Sequence, residues 1–267
     1  MMRGMFSAIS GLKSHQVMLD VTANDIANVN TIGYKSARTT FRDSLSQLQR
    51  GGDPAGPTAG GTNAAQVGLG VGLGSIDNLM QGGALQTTGN PLDLAIQGEG
   101  FFQIKQDPAS DVVNYTRAGN FTTNADGDLV TQEGFFVVGE DGNKITIPPG
   151  ATNVAIGQTG VVSYIPAGGG DRTPAGTLSL ATFPNSAGLE RVSGNRWAQG
   201  ANSGAPALGQ PGTGNFGGVI GGAIEMSNVD LSTTFTNMIT AQRGFQANSR
   251  VISTSDEMLQ DLVNLKR

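Results

Sequence analysis

The two ends of the chain carry the same apolar rhythm, and this rhythm restricts what the chain can fold into more than any other feature. Met2, Met5, Ile9, Leu12, Gln16, Leu19, Ala23 and Ile26 recur in steps of three and four, the spacing of a helical heptad seam. No proline interrupts them, so one long helix is predicted to end near Asn30, where Thr31-Ile32-Gly33 supplies a glycine stop. At the other end Leu231, Phe235, Met238, Gln242, Phe245, Ser249, Ile252, Asp256, Leu259 and Val263 keep the same steps, with Ser227 or Asn228 placed to cap the start. A helix with one apolar stripe and a polar remainder is not stable alone in water. Two arrangements satisfy the pattern: both helices pack on a central domain, or the two chain ends pair as a coiled coil. Placement favours the second, because glycine-rich sequence separates each seam from the middle of the chain.

Residues 51–74 are dominated by Gly, Pro, Thr, Asn and Ala and read as a linker or extended arm. The run from Gly68 to Gly74 is superficially like a dinucleotide loop, but no strand pattern precedes it and no helix pattern follows. Short strand patterns then follow one another at 92–96, 100–105, 112–116, 129–131, 134–138, 144–147, 161–165 and 177–183. Asp126-Gly127 and Asp141-Gly142-Asn143 are hairpin turn signals between them. A second low-complexity stretch, 199–218, returns the chain to the final helix. The expected fold is α+β: N- and C-terminal helices (residues 1–40 and 226–267) paired as a coiled-coil-like unit, a Gly/Pro-rich connecting arm (41–74) and a central β-rich domain (75–225).

Side chains that carry chemistry are scarce. There are no cysteines, so disulfides, thiolate metal sites and thiol nucleophiles are excluded. The single histidine, His15, sits inside the first predicted helix, where neither a catalytic triad nor a histidine-rich metal site can form around it. Asn124, Asp126 and Asp128 alternate as in a calcium loop, but the glycine position and the missing glutamate make a β-turn the better reading. Asp93, Glu99, Asp126, Asp128, Glu133, Glu140 and Asp141 lie close in sequence, as a glycoside-cleaving pair would require, yet most sit at turns, where Asp serves local hydrogen bonds. Net charge is −5 with both signs scattered, so no basic footprint for nucleic acid exists. No apolar run approaches the roughly 18 residues of a membrane span, and no cleavable secretory signal is expected. No enzyme activity, cofactor or metal is expected.

Three ordered motifs then become recognisable. The block from Ala23 to Lys35, Ala-Asn-Asp-Ile-Ala-Asn-Val-Asn-Thr-Ile-Gly-Tyr-Lys, resembles the N-terminal signature of the bacterial flagellar axial proteins, the family of hook and rod subunits. Asp25 replaces a usual Asn and Tyr34 a usual Phe. The block from Asp93 to Phe102, followed by Tyr115-Thr116-Arg117-Ala118-Gly119-Asn120-Phe121 and Asp128-Leu129-Val130-Thr131, is similar to the lead-in of the family's β domain. The stretch from Glu225 to Leu265 resembles its C-terminal helix, with Thr233-Thr234 where an acidic residue is common and Gly244 where Ala is common. Residues 140–215 carry no resemblance.

The resemblance implies a structural subunit that self-assembles into a helical tube. Its polymer interface would be the terminal seams: Met5, Ile9, Leu12, Leu19 and Ile26 with Leu231, Phe235, Met238, Phe245, Ile252, Leu259 and Val263. Residues 66–70, 85–89 and 92–96 look more like a short hook protein, a flexible joint, than like the distal rod, a stiff drive shaft. The implied partners are further copies of the chain, adjacent axial proteins of the rod and hook–filament junction, the flagellar export apparatus and the hook cap. The implied location is the flagellum, reached by export without a cleaved signal peptide. Outside the family, a secreted β-rich carbohydrate-active or adhesin-like protein is the competing expectation, but neither needs paired terminal heptads.

Overall fold

Two long helices occupy the chain ends in the computed structural model: α1 (Met2–Ala27) and α2 (Leu231–Leu265). The structure describes residues 2–54, 56 and 60–265. Positions 55 and 57–59 of the expected arm, and positions 1, 266 and 267 of the expected helical regions, lie outside the described residues. After α1 come β1 (Ala37–Asp43), β2 (Ser46–Arg50), β3 (Ala65–Gly68) and β4 (Val71–Asn78). Next are β5 (Leu85–Thr87), β6 (Leu94–Gln97), β7 (Phe101–Lys105), β8 (Asn114–Thr116), β9 (Phe121–Thr123), β10 (Leu129–Thr131) and β11 (Phe136–Val137). The remaining strands are β12 (Thr152–Ile156), β13 (Val161–Ile165), β14 (Thr173–Thr177), β15 (Leu180–Thr182), β16 (Glu190–Val192), β17 (Arg196–Ala198), β18 (Ala207–Gly209), β19 (Gly218–Gly221) and β20 (Ala223–Glu225). The architecture is α+β, and the terminal helices pack together.

The chain divides into two compact units. The first holds residues 1–27, 37–77 and 230–267; the second holds 28–36 and 78–229. In the first, β1 pairs with β4 and β2 with β3, giving two ribbons that take in the region expected as arm (41–74), residues 37–40 expected in the helical unit and residues 75–78 expected in the β-rich domain. Ser46 pairs with Gly68 and Gln47 with Val67, and backbone bonds from Leu69 to Leu45 and from Ser44 to Gly70 carry the pairing on toward β1 and β4. No helix among the described residues is long and apolar enough to cross a membrane.

The second unit is built around a nine-stranded sheet ordered β16-β17-β8-β7-β11-β10-β9, with β15 joined to β7 and β18 to β15. Strand β7 is its axis: it meets β8 along one edge, and β15 and then β11 along the other. Leu94, Phe102, Ile104, Phe121, Leu129, Val137, Val162, Leu178, Leu180 and Val219 are buried together as the main core. Phe102 and Phe121 meet edge to face there with centroids 5.1 Å apart, the arrangement that the ring quadrupole favours. Because successive strand residues point to opposite faces, Phe101 leaves that core for a second cluster with Tyr115, Ala181, Leu189 and Trp197.

Several local expectations need adjustment. The first helix stops at Ala27 rather than near Asn30, and Gly33 takes the positive φ of +68° expected of a stop. Residues 28–36 belong to the β-rich unit. Asp230, not Ser227 or Asn228, caps α2, accepting from the backbone N–H groups of Ser232 and Thr233. Hydrogen bonds from Thr233 and Ser232 hold its carboxyl below the usual carboxylate range. Residues 144–147 form isolated bridges to Val138 and Asp128 instead of a strand. Asn124 closes an Asx turn, its Oδ1 accepting from the N–H of Asp126 and Asp128.

Candidate assembly surface

The two helices approach closely because each offers the other a glycine. A Cβ on Gly11 would lie 2.7 Å from the Asn248 amide nitrogen, and one on Gly244 would lie 2.5 Å from the His15 ring. Gly11 thus stands beside Asn248, and His15 beside Gly244, so the helices run antiparallel. The edge of Phe41 closes over the same imidazole, with centroids 5.7 Å apart.

The face that the pair buries is not the apolar seam. On α1 the buried residues are Ala8, Gly11, Ser14, Thr22 and Asp25; on α2 they are Ala241 and Ser255. The polar members are accommodated locally. Thr22 donates its hydroxyl to Met18 O, Ser255 donates to Val251 O, and the Asp25 carboxylate accepts from Ala37 N–H. Of the twelve residues assigned to the polymer interface, Met5, Leu12, Leu19, Ile26, Met238, Phe245, Ile252 and Leu259 line the shoulders of the pair and are half-buried. Ile9, Leu231, Phe235 and Val263 are exposed, as are Met2, Phe6, Ile239, Val251, Met258, Leu262 and Leu265. Small residues carry the contact within the chain, so most of the large apolar side chains keep free surface. Clustered exposed apolar side chains are the kind of surface that a partner can bury.

In the β-rich unit the three recognised motif blocks converge on one buried cluster. Lys35 donates from Nζ to Gln81 O and to Glu225 Oε1, and Arg117 donates to Glu225 Oε2 and to Gly98 O. All three charged side chains are almost fully buried. Burial lowers the Lys35 pKa, and the Glu225 carboxylate opposes that shift only in part. Asn228 binds the neighbouring segments together: its Oδ1 accepts from Ser36 N–H, and its Nδ2 donates to Leu79 O. Arg191 stacks on both Tyr34 and Trp197 and donates to Lys35 O. Sequence reading missed this cluster, although a charged residue in each recognised region, Lys35, Arg117 and Glu225, was its signal.

No reaction is suggested by the rest. Two open cavities of about 490 and 500 Å³ lie in the β-rich unit. The first is lined chiefly by amides and hydroxyls such as Asn28, Asn30, Thr31 and Asn120, and the second by Gly, Met80, Phe101, Phe183 and the already paired Arg117. Asp93, one of the acids considered for glycoside chemistry, accepts from Thr88 and Asn90 within a turn. No group of three metal-ligating side chains occurs among the described residues.

Three family descriptions match the chain in sequence order. Residues 5–35 match the flagella basal body rod protein family, 95–164 the D1 domain of the flagellar hook proteins FlgE/F/G, and 220–265 the C-terminal region of the flagellar basal body rod FlgEFG proteins. The chain is 49% identical over 268 residues to the flagellar basal-body rod protein FlgG of Bacillus subtilis, covering all of both chains. It is 40% identical over 267 residues to the protein of the same name from Caulobacter vibrioides, covering 99% of this chain and 100% of the relative. Against the flagellar hook protein FlgE of Borreliella burgdorferi the identity is 26% over a 445-residue alignment that covers both chains entirely.

Proposed function

Because the chain belongs to the flagellar axial protein family, whose members are structural rod and hook subunits and not enzymes, we propose that it is a subunit of the distal rod, self-assembling into a stiff tube that passes motor torque outward. The observation that carries the choice is the 49% identity with a rod protein along the whole chain, against 26% with a hook protein. It weighs against the hook expectation drawn from residues 66–70, 85–89 and 92–96. The most distinctive part of those segments, Leu94-Ala95-Ile96, is fully buried core, so it answers to packing demands that a rod subunit and a hook subunit share.

Assembly works through the helix pair. Its small-residue contact closes the pair within one chain, and the free apolar surfaces of α1 and α2 are covered by further copies. Adjacent axial proteins meet the ends of the stack. The chain reaches the flagellum through the flagellar export apparatus without losing an N-terminal signal. Electron microscopy of concentrated full-length protein tests the reading: straight tubes of uniform diameter are expected, curved tubes would return the chain to the hook, and absence of any polymer would remove the assembly reading. Gold-labelled antibody on isolated flagella should mark the basal body and leave the hook bare. Mass spectrometry of subunits from those flagella should find the N-terminal helix intact.

A further inference from the structure

The register of the helix pair leaves α2 longer than its partner. Gly11 with Asn248, and His15 with Gly244, are antiparallel pairs whose numbers sum to 259, so Met2, the first residue of α1, stands opposite position 257. Residues 258–265, about 12 Å of helix at 1.5 Å per residue, therefore stand opposite no described residue of α1. Met258, Leu262 and Leu265 in this overhang follow an i, i+4, i+7 spacing, which makes one helical row. All three are exposed, Leu265 at 81%. At the opposite end of the same helix Leu231, Phe235 and Ile239 form a second exposed row. Among the described residues of α2, the only other exposed large apolar side chains are Val251 and Val263.

The two rows are centred about 40 Å apart along α2 and, at roughly 100° per residue, face directions about 150° apart around its axis. One chain cannot join them to each other. A two-fold dimer pairs a single face with its own copy, so it cannot cover rows that look to different sides. Head-to-tail contact covers both, and where its rotation does not close into a ring it repeats as an open polymer.

We propose that the Met258–Leu262–Leu265 row of one copy docks on the Leu231–Phe235–Ile239 row of the next. This rests on the assembly reading above and assigns its two unlike faces. The occupant is a second copy of this chain because the two rows match in size and character, and because the overhang prolongs the stripe by which α2 already meets α1: Ile252, Ser255 and Leu259 lead into Leu262 at the same spacing.

The chain has no cysteine, so Phe235→Cys and Leu262→Cys in the full-length protein place one thiol on each row. After assembly and treatment with a short bis-maleimide cross-linker, the double variant should give a ladder of dimer, trimer and higher species on a denaturing gel. A mixture of the two single variants should stop at dimer, and each single variant alone should stay monomeric. A double variant that pellets as polymer yet gives no ladder, or a single variant that cross-links to itself, overturns the head-to-tail pairing and leaves the assembly reading intact. Failure of the unmodified chain to polymerise overturns both. Leu231→Cys with Leu265→Cys reads the same contact from its other end, so a loss of assembly caused by the first substitutions cannot hide the answer.

Discussion

Lys35 and Glu225, 190 residues apart in sequence, form an ion pair in which both side chains are withdrawn from solvent, Lys35 at 0% and Glu225 at 1% exposure. Lys35 lies just beyond α1 and Glu225 just before α2. The pair therefore ties the segment that leaves the first helix to the segment that leads into the last. A buried ion pair is weak evidence of net stabilisation, but removing one partner strands the other at a cost of about 3–5 kcal/mol. Here the single carboxylate serves two cations, Lys35 and Arg117.

Glu225→Gln should accordingly destabilise the β-rich unit by about 3–5 kcal/mol, since it leaves two buried cations without an anion. Thermal or urea unfolding followed at Trp197, which is buried in the second cluster of that unit, measures this directly. A loss below about 1 kcal/mol would mean that water reaches the cluster.

The same site predicts a pH dependence. Burial holds the Lys35 pKa below its ordinary value of 10.5, with Glu225 opposing the shift. In the window between the folded value and 10.5, the unfolded chain binds more protons at this lysine than the folded one, so stability rises with pH. Below the folded value this contribution is gone. Unfolding free energies measured upward from neutral pH should show the rise, and Lys35→Met should abolish it.

Asp128 predicts the opposite end of the scale. Burial by itself would raise its pKa, but hydrogen bonds from Lys144, Thr146 and Asn124, with the charge of Lys144, more than offset it and hold the carboxyl below 3.8. The stabilisation is complete above 3.8 and is lost as pH falls through the folded value. Asp128→Asn should therefore cost stability at neutral pH and flatten the acid limb of the stability profile below pH 3.8. An unchanged acid limb would assign acid sensitivity to other carboxylates.

What the sequence disclosed and what it hid divide along physical lines. Strands β10 and β13 coincide with the short strand patterns at 129–131 and 161–165, because apolar, β-branched and aromatic runs bounded by turn residues report a strand directly. The apolar periodicity likewise found both helices. It did not find the face by which they pair, since Ala8, Gly11, Ser14, Thr22, Ala241 and Ser255 are small or polar and score as gaps in a hydrophobic pattern. Nor can one chain's periodicity give a register between two helices, so the overhang of α2 was illegible. The Lys35–Glu225–Arg117 cluster stayed hidden because charged residues are normally read as surface.

Gly244 offers a sign test of the helix contact. In an isolated helix Gly→Ala gains about 1 kcal/mol, yet here the new methyl would press into the His15 ring, and overpacking typically costs about 1–3 kcal/mol. Gly244→Ala should thus lower the melting temperature of the helical signal, although it raises intrinsic helicity. His15→Ala combined with Gly244→Ala should recover much of that loss, giving a coupling on the order of 1 kcal/mol in a double-mutant cycle. Additive effects would show that the two positions do not touch.

The helix pair should also melt before the rest of the chain. Its contact within the chain is made by small and polar groups, and burying apolar area is what stabilises a helix of this kind, at about 25 cal/mol per Å². Most of the large apolar side chains of α1 and α2 are instead exposed or only half-buried, while the β-rich unit buries Leu94, Phe102, Leu129, Val162 and Leu180 completely. Helicity at 222 nm should therefore fall at a lower temperature than the fluorescence of Trp197 changes. Assembly binds only the folded pair, so by mass action it should raise the first transition toward the second as protein concentration increases. Leu19→Glu and Leu259→Glu, which charge the half-buried shoulders of the pair, should weaken both the first transition and polymer yield, whereas the exposed Lys13→Glu should do neither. Coincident transitions at every concentration would show that the helices are ordinary elements of one cooperative fold, and the terminal pair would lose its standing as the assembly surface.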